Sequence, residues 1–262
     1  MSERVQKVLA RAGAGSRRKL EGQIEAGRVF VNGKRAKLGA QVRRGDLVEL
    51  GDQRYKAEIR REPTRVMLFN KPEGVVCTRS DPEGRPTVFD QLPSLKGGRW
   101  ITIGRLDINT TGLLLLTNDG ELANKMMHPR YGVDREYACR VHGEVTEAMI
   151  QALLAGVKLE DGVACFSDIV DSGGSGENRW FHVALMEGRN REVRRLWESQ
   201  GVQVSRLKRV RYGAVFLPSR LKMGDHEEMA PEDVKVLRED VGLPGVPDPE
   251  LYLKPVGGRP RR

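Results

Sequence analysis

The segment GRLDINTTGLLLLTNDG, residues 104–120, contains the side chains whose types and spacing best suit chemistry. Asp107 follows Arg105 by two positions and precedes a polar turn, and the run 113–117 after it is apolar enough to predict a buried strand. This order holds one carboxylate at the rim of a core, beside a guanidinium that favours the ionised form. An ionised, positioned carboxylate can act as a nucleophile or as a base. The residues alone leave a second interpretation open, a purely structural ion pair.

The charge distribution indicates a polyanionic partner. The 262 residues include 45 Lys and Arg against 36 Asp and Glu, a net charge of +9. The first 61 residues contain 16 basic and 7 acidic side chains, so the whole excess lies there and the remainder is balanced. This asymmetry is typical of a nucleic-acid-binding module joined to a neutral domain. Within the neutral part only residues 187–211 are clearly cationic, with eight bases and three acids.

The first quarter is predicted to fold as two helices on a small hairpin-rich sheet. Apolar residues at helical spacing predict a helix over 5–12, and Ser16 is a suitable N-cap for a second helix that Gly27 ends. Strands over 28–31 and 46–50 surround an Asn-Gly turn, and the polar stretch 51–63 is predicted to be a linker. The helices carry six cations, which form either a solvated face or contacts to phosphate: Arg4, Lys7, Arg11, Arg17, Arg18 and Lys19.

The rest of the chain alternates short strands with short helices and has neither βαβ regularity nor a phosphate-binding glycine pattern. It predicts an α+β domain around a mixed or antiparallel sheet. Helices are expected over 120–127, 146–155, 190–200 and 232–238, and strands over 66–70, 100–103, 113–117, 136–141, 163–170, 179–186 and 203–210. The domains are expected at 1–61 and 62–240, followed by a flexible tail over 241–262, in which Arg259, Arg261 and Arg262 are either RNA contacts or a solvated end.

Several classes of function are disfavoured by composition. Three widely spaced cysteines and four scattered histidines predict neither a disulfide framework nor a metal site, and no cofactor is expected. The longest uninterrupted apolar run, residues 113–116, is too short to span a bilayer, so we expect a reduced, cytoplasmic protein that does not insert into membranes. A monomer is the default expectation.

Two long motifs carry resemblances to known families. The stretch RVQKVLARAGAGSRRKLEGQIEAGRVFVNGK resembles the S4 RNA-binding domain over about residues 3 to 50, which favours RNA contacts for the six helix cations. The motif at 104–120 resembles the pseudouridine synthases of the small-subunit rRNA type, and the similarity extends through KPEG at 71–74, DPEGRPTVFD at 81–90 and residues 187–213.

The second resemblance implies roles for particular residues. Asp107 matches the catalytic aspartate, Tyr137 the tyrosine that stacks on an everted uracil, and Arg194 the arginine that pairs with the aspartate. Arg105 would hold the flipped nucleotide open. From the residues alone, Tyr137 is equally well a half-buried strand tyrosine. Five further cations are expected to contact phosphate: Arg189, Arg191, Arg195, Lys208 and Arg209.

The implied activity is isomerisation of a uridine in ribosomal RNA, without a cofactor. The stretches 81–90 and 190–198 favour 23S rRNA or a large-subunit assembly intermediate as the partner, and 16S rRNA is the alternative. Whether Asp107 adds to C1′ or removes a sugar proton stays open. A non-catalytic S4-type assembly factor is the rival from another class, and a metal-dependent nuclease would need clustered carboxylates that this sequence lacks.

Overall fold

The structure, a computed structural model, describes residues 1–95 and 98–257, so Arg259, Arg261 and Arg262 lie outside the described residues. The helices are α1 (Val5–Arg11), α2 (Arg17–Glu25), α3 (Gly120–Met127), α4 (Glu147–Ala155), α5 (Glu192–Glu198) and α6 (Pro231–Asp240). The strands are β1 (Ser2–Arg4), β2 (Val29–Val31), β3 (Lys34–Arg35), β4 (Gln41–Arg43), β5 (Leu47–Leu50), β6 (Gln53–Arg60), β7 (Val66–Lys71), β8 (Ile101–Ile103), β9 (Thr111–Thr117), β10 (Arg135–His142), β11 (Val157–Leu159), β12 (Gly162–Ala164), β13 (Asp168–Ser175), β14 (Asn178–Leu185), β15 (Gln203–Tyr212), β16 (Val215–Phe216), β17 (His226–Glu228) and β18 (Glu250–Pro255).

The chain forms two compact units whose boundaries differ from those expected. The first comprises Met1–Thr64, Ser94–Trp100 and the described residues from Leu243 onward, and the second comprises Arg65–Pro93 and Ile101–Gly242. In the first unit, α1 and α2 share a core with a five-stranded sheet of order β18-β6-β5-β2-β3. Ser16 caps α2 by accepting a hydrogen bond from the Lys19 backbone N–H at 3.2 Å, as predicted.

Two expectations for the first unit are wrong. The stretch 51–63, expected to be a linker, contains β6, because alternate residues Tyr55 and Ala57 are buried and the strand pairs with β5 on one side and β18 on the other. The tail over 241–262, expected to be flexible, supplies β18, whose Leu251 and Leu253 are at most 1% exposed in the core. The high density of Pro and Gly around 242–248 concealed a short alternating strand after it.

The second unit is built on a nine-stranded mixed sheet, which confirms the predicted α+β class. Its main path runs β13-β14-β10-β15-β9-β7-β17, with β8 and β16 paired to β9 and β15. The pairing of β15 with β9 is parallel, and the others in this sheet are antiparallel. The four leucines of β9, residues 113–116, are all fully buried, as their unbroken apolar run predicted. The expected strand over 163–170 is instead divided between β12 and β13.

The helices of the second unit cover one side of this sheet near the site. Helix α3 has the predicted bounds, and Asp119 caps it by accepting hydrogen bonds from two backbone N–H groups. Helix α5 is shorter than predicted and buries Trp197, whose ring lies 5.0 Å from that of Phe181 on β14. No helix within the described residues is long and apolar enough to cross a bilayer.

Candidate active site

The loop between β8 and β9 carries Asp107 to the rim of a cleft with a volume of about 310 Å³. Leu106 is buried beneath the loop, and its backbone N–H donates to the Cys77 thiol sulfur at 3.5 Å. The carbonyl of Asp107 itself accepts a hydrogen bond from the Thr110 N–H at 3.0 Å, so the turn after the carboxylate is closed. Asp107 is half-buried and lines the cleft, so its carboxylate is accessible while the turn holds its backbone.

Gly112 explains why the motif has a glycine where the loop enters β9. Its φ is +99°, and a Cβ at this position would lie 2.2 Å from the backbone oxygen of Arg209 on β15. Because β9 and β15 pair at this point, any larger residue would push the two strands apart. The glycine therefore allows the strand after Asp107 to contact the strand that forms the floor of the cleft.

Lys71 is a cation that sequence reasoning left without a role. It ends β7, is fully buried, and its ammonium donates to the backbone carbonyls of Pro72, Ile108 and Thr110 at 2.9, 3.4 and 2.9 Å. Burial lowers the pKa of Lys71, whereas the nearby Cys77 and Asp107 side chains oppose that shift. The lysine thus ties the turn that follows Asp107 to the Pro72 carbonyl. The only sequence signal was its place in KPEG.

Three of the four predicted catalytic residues line the same cleft. Asp107 and Arg105 come from the β8–β9 loop, and Tyr137 projects from β10, with the side chain 9% exposed. Tyr137 shares its side of the strand with the buried residues Cys139 and Val141, as alternation predicted. The structure therefore brings together a carboxylate, an exposed guanidinium and a phenol ring from segments about 30 residues apart in sequence.

Arg194 lies beside this group but does not pair directly with Asp107. Its guanidinium donates to the backbone carbonyls of Val204 at 2.6 Å and Asn109 at 3.2 Å, and within the described residues no ion pair of 4 Å or less joins it to Asp107. Burial lowers the pKa of Arg194, aided by the like charge of Arg191, and the carboxylate of Asp107 opposes the shift. Arg194 is therefore close enough to act on Asp107 electrostatically and anchors its loop through Asn109.

The other cations expected on this segment divide into engaged and available groups. Arg195 forms a two-pronged pair with Asp161 at 2.9 Å, and Arg189 pairs with Glu187 at 2.8 Å, so neither guanidinium is free for phosphate without breaking an ion pair. Arg191 is more open and lies 3.8 Å from Glu198. Lys208 points away from the cleft, because it alternates along β15 with the cleft residues Leu207 and Arg209.

Arg209 was expected to contact phosphate, which would require an exposed guanidinium, but the side chain is buried. It is 2% exposed at the back of the cleft, its Nε donates to the Leu113 carbonyl at 2.7 Å, and its guanidinium lies 4.9 Å from the ring centre of Tyr212. Its Nη2 has no hydrogen-bond partner among the described residues. A buried donor without a partner is unusual, and this Nη2 is also closed off from the solvent in the cleft.

Glu192, at the start of α5, places an acidic group in the cleft wall that sequence reasoning did not identify. One carboxylate oxygen accepts the Arg189 backbone N–H at 2.9 Å, and the other, which lies 3.9 Å from the Arg189 Nε, is buried with no hydrogen-bond partner in the described part of the chain. Burial, together with the charge of Glu187, raises the pKa of Glu192 to about 7. The side chain therefore changes protonation near neutral pH.

The cations of the first unit also divide in an unexpected way. Arg11 pairs with Glu3 at 3.0 Å and Glu250 at 2.7 Å and donates to the Leu251 carbonyl, and Lys7 pairs with Glu3 at 2.7 Å. Against the desolvation of Glu3, these hydrogen bonds lower its pKa to about 2. Arg11 and Lys7 therefore tie α1 to β1 and β18, and a phosphate contact by either side chain competes with these ion pairs. Of the six helix cations expected to contact RNA, Arg4, Arg17, Arg18 and Lys19 are exposed and form no ion pair with any described residue.

No metal centre accompanies the cleft in the region that the structure covers, residues 1–95 and 98–257, where no three His, Cys, Asp or Glu side chains cluster in a way that could hold an ion. The ionisable and aromatic groups that line the cleft include Asp107, Glu192, the Tyr137 ring and several guanidinium groups.

Comparison with known proteins agrees with this combination of fold and site. Residues 65–199 match the family model described as RNA pseudouridylate synthase, and residues 3–48 match the S4 domain. A crystal structure of a pseudouridylate synthase superposes with a TM-score of 0.62 at 25% identity, covering 89% of this chain and 99% of that one. The chain belongs to the RNA pseudouridylate synthase family and carries an S4 domain, as the two motifs indicated.

Two curated relatives extend the similarity over almost the whole chain. The Ribosomal large subunit pseudouridine synthase B of Pseudomonas aeruginosa is 59% identical over 97% of this chain, and that of Haemophilus influenzae is 56% identical over 99%. The chain spans 66% of the length of the first relative and 73% of the second.

Proposed function

We propose that the protein converts a uridine of large-subunit ribosomal RNA to pseudouridine, with Asp107 as the catalytic carboxylate. The observation that carries this proposal is the cleft that Asp107, Arg105 and Tyr137 line together. Its volume, about 310 Å³, lies at the lower end of the range of small-ligand sites and suits a single everted nucleoside. The names of the two relatives support 23S rRNA, or a particle containing it, as the substrate, and such a substrate favours a cytoplasmic location.

The reaction is an isomerisation in which atoms are conserved within the nucleotide apart from one exchanged proton. The bond from ribose C1′ to the base nitrogen N1 breaks, the uracil rotates and C1′ bonds to C5. The proton on C5 then leaves to solvent, and N1 takes up a proton from solvent. Asp107 promotes the first step either by adding to C1′ or by removing a proton from the sugar. Arg194 acts as a positioning residue, since it binds the Asn109 carbonyl in the same loop.

The cleft also offers means of holding a base outside its helix. Everting a nucleotide costs a few kcal/mol, and stacking on an aromatic ring returns about 1 to 3 kcal/mol, so Tyr137 offsets much of the cost. Arg105, exposed at the rim, is suited to hold the displaced strand open.

The S4 domain is proposed to add affinity through four exposed helix cations that form no ion pair with any described residue: Arg4, Arg17, Arg18 and Lys19. At roughly 0.7 to 0.9 per phosphate neutralised, they contribute a log–log salt slope of magnitude about 3. The three cations of α2 lie at its N-terminal turn, where they oppose the helix dipole, so they do not serve helix stability.

The central test follows release of tritium from uridine C5 in an rRNA fragment. Wild-type protein should release the label, Asp107→Asn should abolish release while RNA affinity stays within a few fold, and Asp161→Asn, which removes a carboxylate next to the cleft arginines, should retain turnover. Turnover by Asp107→Asn would exclude the catalytic assignment. Tight binding by the wild type with no release would favour the non-catalytic assembly factor.

A further inference from the structure

The side of the sheet that faces away from the cleft carries an arrangement that the proposed reaction does not use. Residues directly opposite each other on neighbouring strands share a face. On this face the register places Trp180 of β14 opposite Arg140 of β10, which lies opposite Arg206 of β15. Two residues further along β10, Ala138 lies opposite Lys208. Cleft-side residues such as Tyr137 alternate with these along the same strands.

A second aromatic side chain lies at the other end of this face. Phe216 of β16 is directly opposite Arg211 and is 66% exposed, although a phenylalanine this open gains little from burial. The Arg211 guanidinium lies 5.7 Å from the ring centre of Phe216. Counting three strand spacings and about four residues along the strands, Trp180 and Phe216 are roughly 20 Å apart. We name the surface between them the outer sheet face.

The outer sheet face has an excess of cations that the protein itself does not neutralise. Arg211 is engaged by Asp134 at 2.7 Å and Glu136 at 3.0 Å, and Glu136 also contacts His182. Among the described residues, by contrast, Arg140, Arg206 and Lys208 form no ion pair. Arg206 is exposed, and the Arg140 Nε donates only to the Ser205 hydroxyl at 2.9 Å.

Aromatic rings interspersed with unpaired cations match the requirements of single-stranded nucleic acid, because bases stack on rings of any kind and phosphates pair with the cations. A protein partner fits less well, since the centres of protein interfaces are depleted of charge. We propose that the outer sheet face is a second RNA-binding surface, which holds an unpaired segment of the substrate RNA by stacking on Trp180 and Phe216 and by phosphate contacts with Arg140, Arg206 and Lys208. This inference rests on the proposed function.

The test compares two RNAs, a short stem-loop containing the target uridine and a longer rRNA fragment with single-stranded flanks. Phe216→Ala should weaken binding of the longer RNA by roughly tenfold, as expected for one lost stack. Arg206→Ala combined with Lys208→Ala should lower the salt slope by about 1.4, at 0.7 per single-strand phosphate. In both variants kcat on the short stem-loop should equal that of the wild type, because none of these side chains lines the cleft.

Controls separate this surface from general effects. Lys222→Ala and Lys235→Ala remove exposed charges elsewhere on the same unit and should leave the salt slope nearly unchanged. Trp180 is half-buried, so Trp180→Phe, which keeps a ring, should bind like the wild type, whereas Trp180→Ala should not. The proposal would be overturned if the Phe216 variant and the Arg206/Lys208 variant bind the longer RNA with unchanged affinity and salt slope. It would also be overturned if these variants keep their RNA affinity but no longer bind a ribosomal protein that the wild type binds. Absence of turnover by the wild type would instead remove the proposed function.

Discussion

Replacing Lys71 by methionine tests whether the Asp107 loop is held by a buried ammonium. The substitution keeps most of the side-chain length and removes three donors that now bind the carbonyls of Pro72, Ile108 and Thr110. Each buried acceptor left unsatisfied costs about 1 to 3 kcal/mol, and the 3.4 Å contact to Ile108 contributes least. Relief of the lysine desolvation, the same effect that lowers its pKa, returns part of this. We expect a net loss of about 3 kcal/mol in the free energy of unfolding.

The catalytic effect should exceed that expected from stability alone. Displacement of a reacting group by about 1 Å can cost roughly a hundredfold in rate, so kcat measured by C5 tritium release below the melting temperature should fall by about that factor. KM should change less than threefold, because Lys71 does not line the cleft.

Lys125→Met is the matched control, since the Lys125 ammonium also donates to two backbone carbonyls, of Val241 and Gly242 at 3.2 and 3.0 Å, outside the site. It should lower stability without lowering kcat. A folded Lys71→Met protein with wild-type kcat would refute the positioning argument, and so would an equal fall in kcat in the control.

Three further predictions concern other parts of the molecule. Arg11→Ala should lower thermal stability and keep RNA affinity within about threefold of wild type, whereas Arg18→Ala should lower RNA affinity and leave thermal stability unchanged. Equal losses of RNA affinity in the two variants, measured by filter binding, would contradict the internal ion pairs of Arg11. Because burial raises the pKa of Glu192 from 4.5 to about 7, the folded chain keeps a proton across this window that the unfolded chain has lost, so stability falls as pH rises from 4.5 to 7. Glu192→Gln should lack this fall in urea titrations at successive pH values, and an unchanged pH profile would refute the assignment. Gly112→Ala should lower the free energy of unfolding by several kcal/mol, measured by thermal unfolding, because the added Cβ would meet the backbone of β15. Gly84→Ala is the control: its φ is also positive but no atom lies near the added Cβ, so it should cost about 1 kcal/mol. Similar losses in the two variants would contradict the close approach of β9 and β15 at Gly112.

Features that depend on a few neighbouring residues were read correctly from the sequence. Ser16 caps α2, Asn32 and Gly33 both have positive φ in the hairpin turn, and α3 has the predicted bounds. The apolar run 113–116 is the buried strand after Asp107. Each of these follows from spacing or turn chemistry within about ten residues. The long motif at 104–120 indicated the family and contains Asp107, the carboxylate that lines the cleft.

Whether a given cation is exposed, lines the cleft or has an internal partner was decided only by the tertiary structure. Arg11 is neutralised by Glu250, 239 residues away, and the use of Lys71 depends on carbonyls 37 and 39 residues away. Alternation places Lys208 and Arg209 on opposite sides of β15, but which side lines the cleft depends on the strands paired beside it. Local periodicity is encoded in neighbouring residues, whereas hydrogen bonds and ion pairs between distant segments exist only once the topology has brought those segments together.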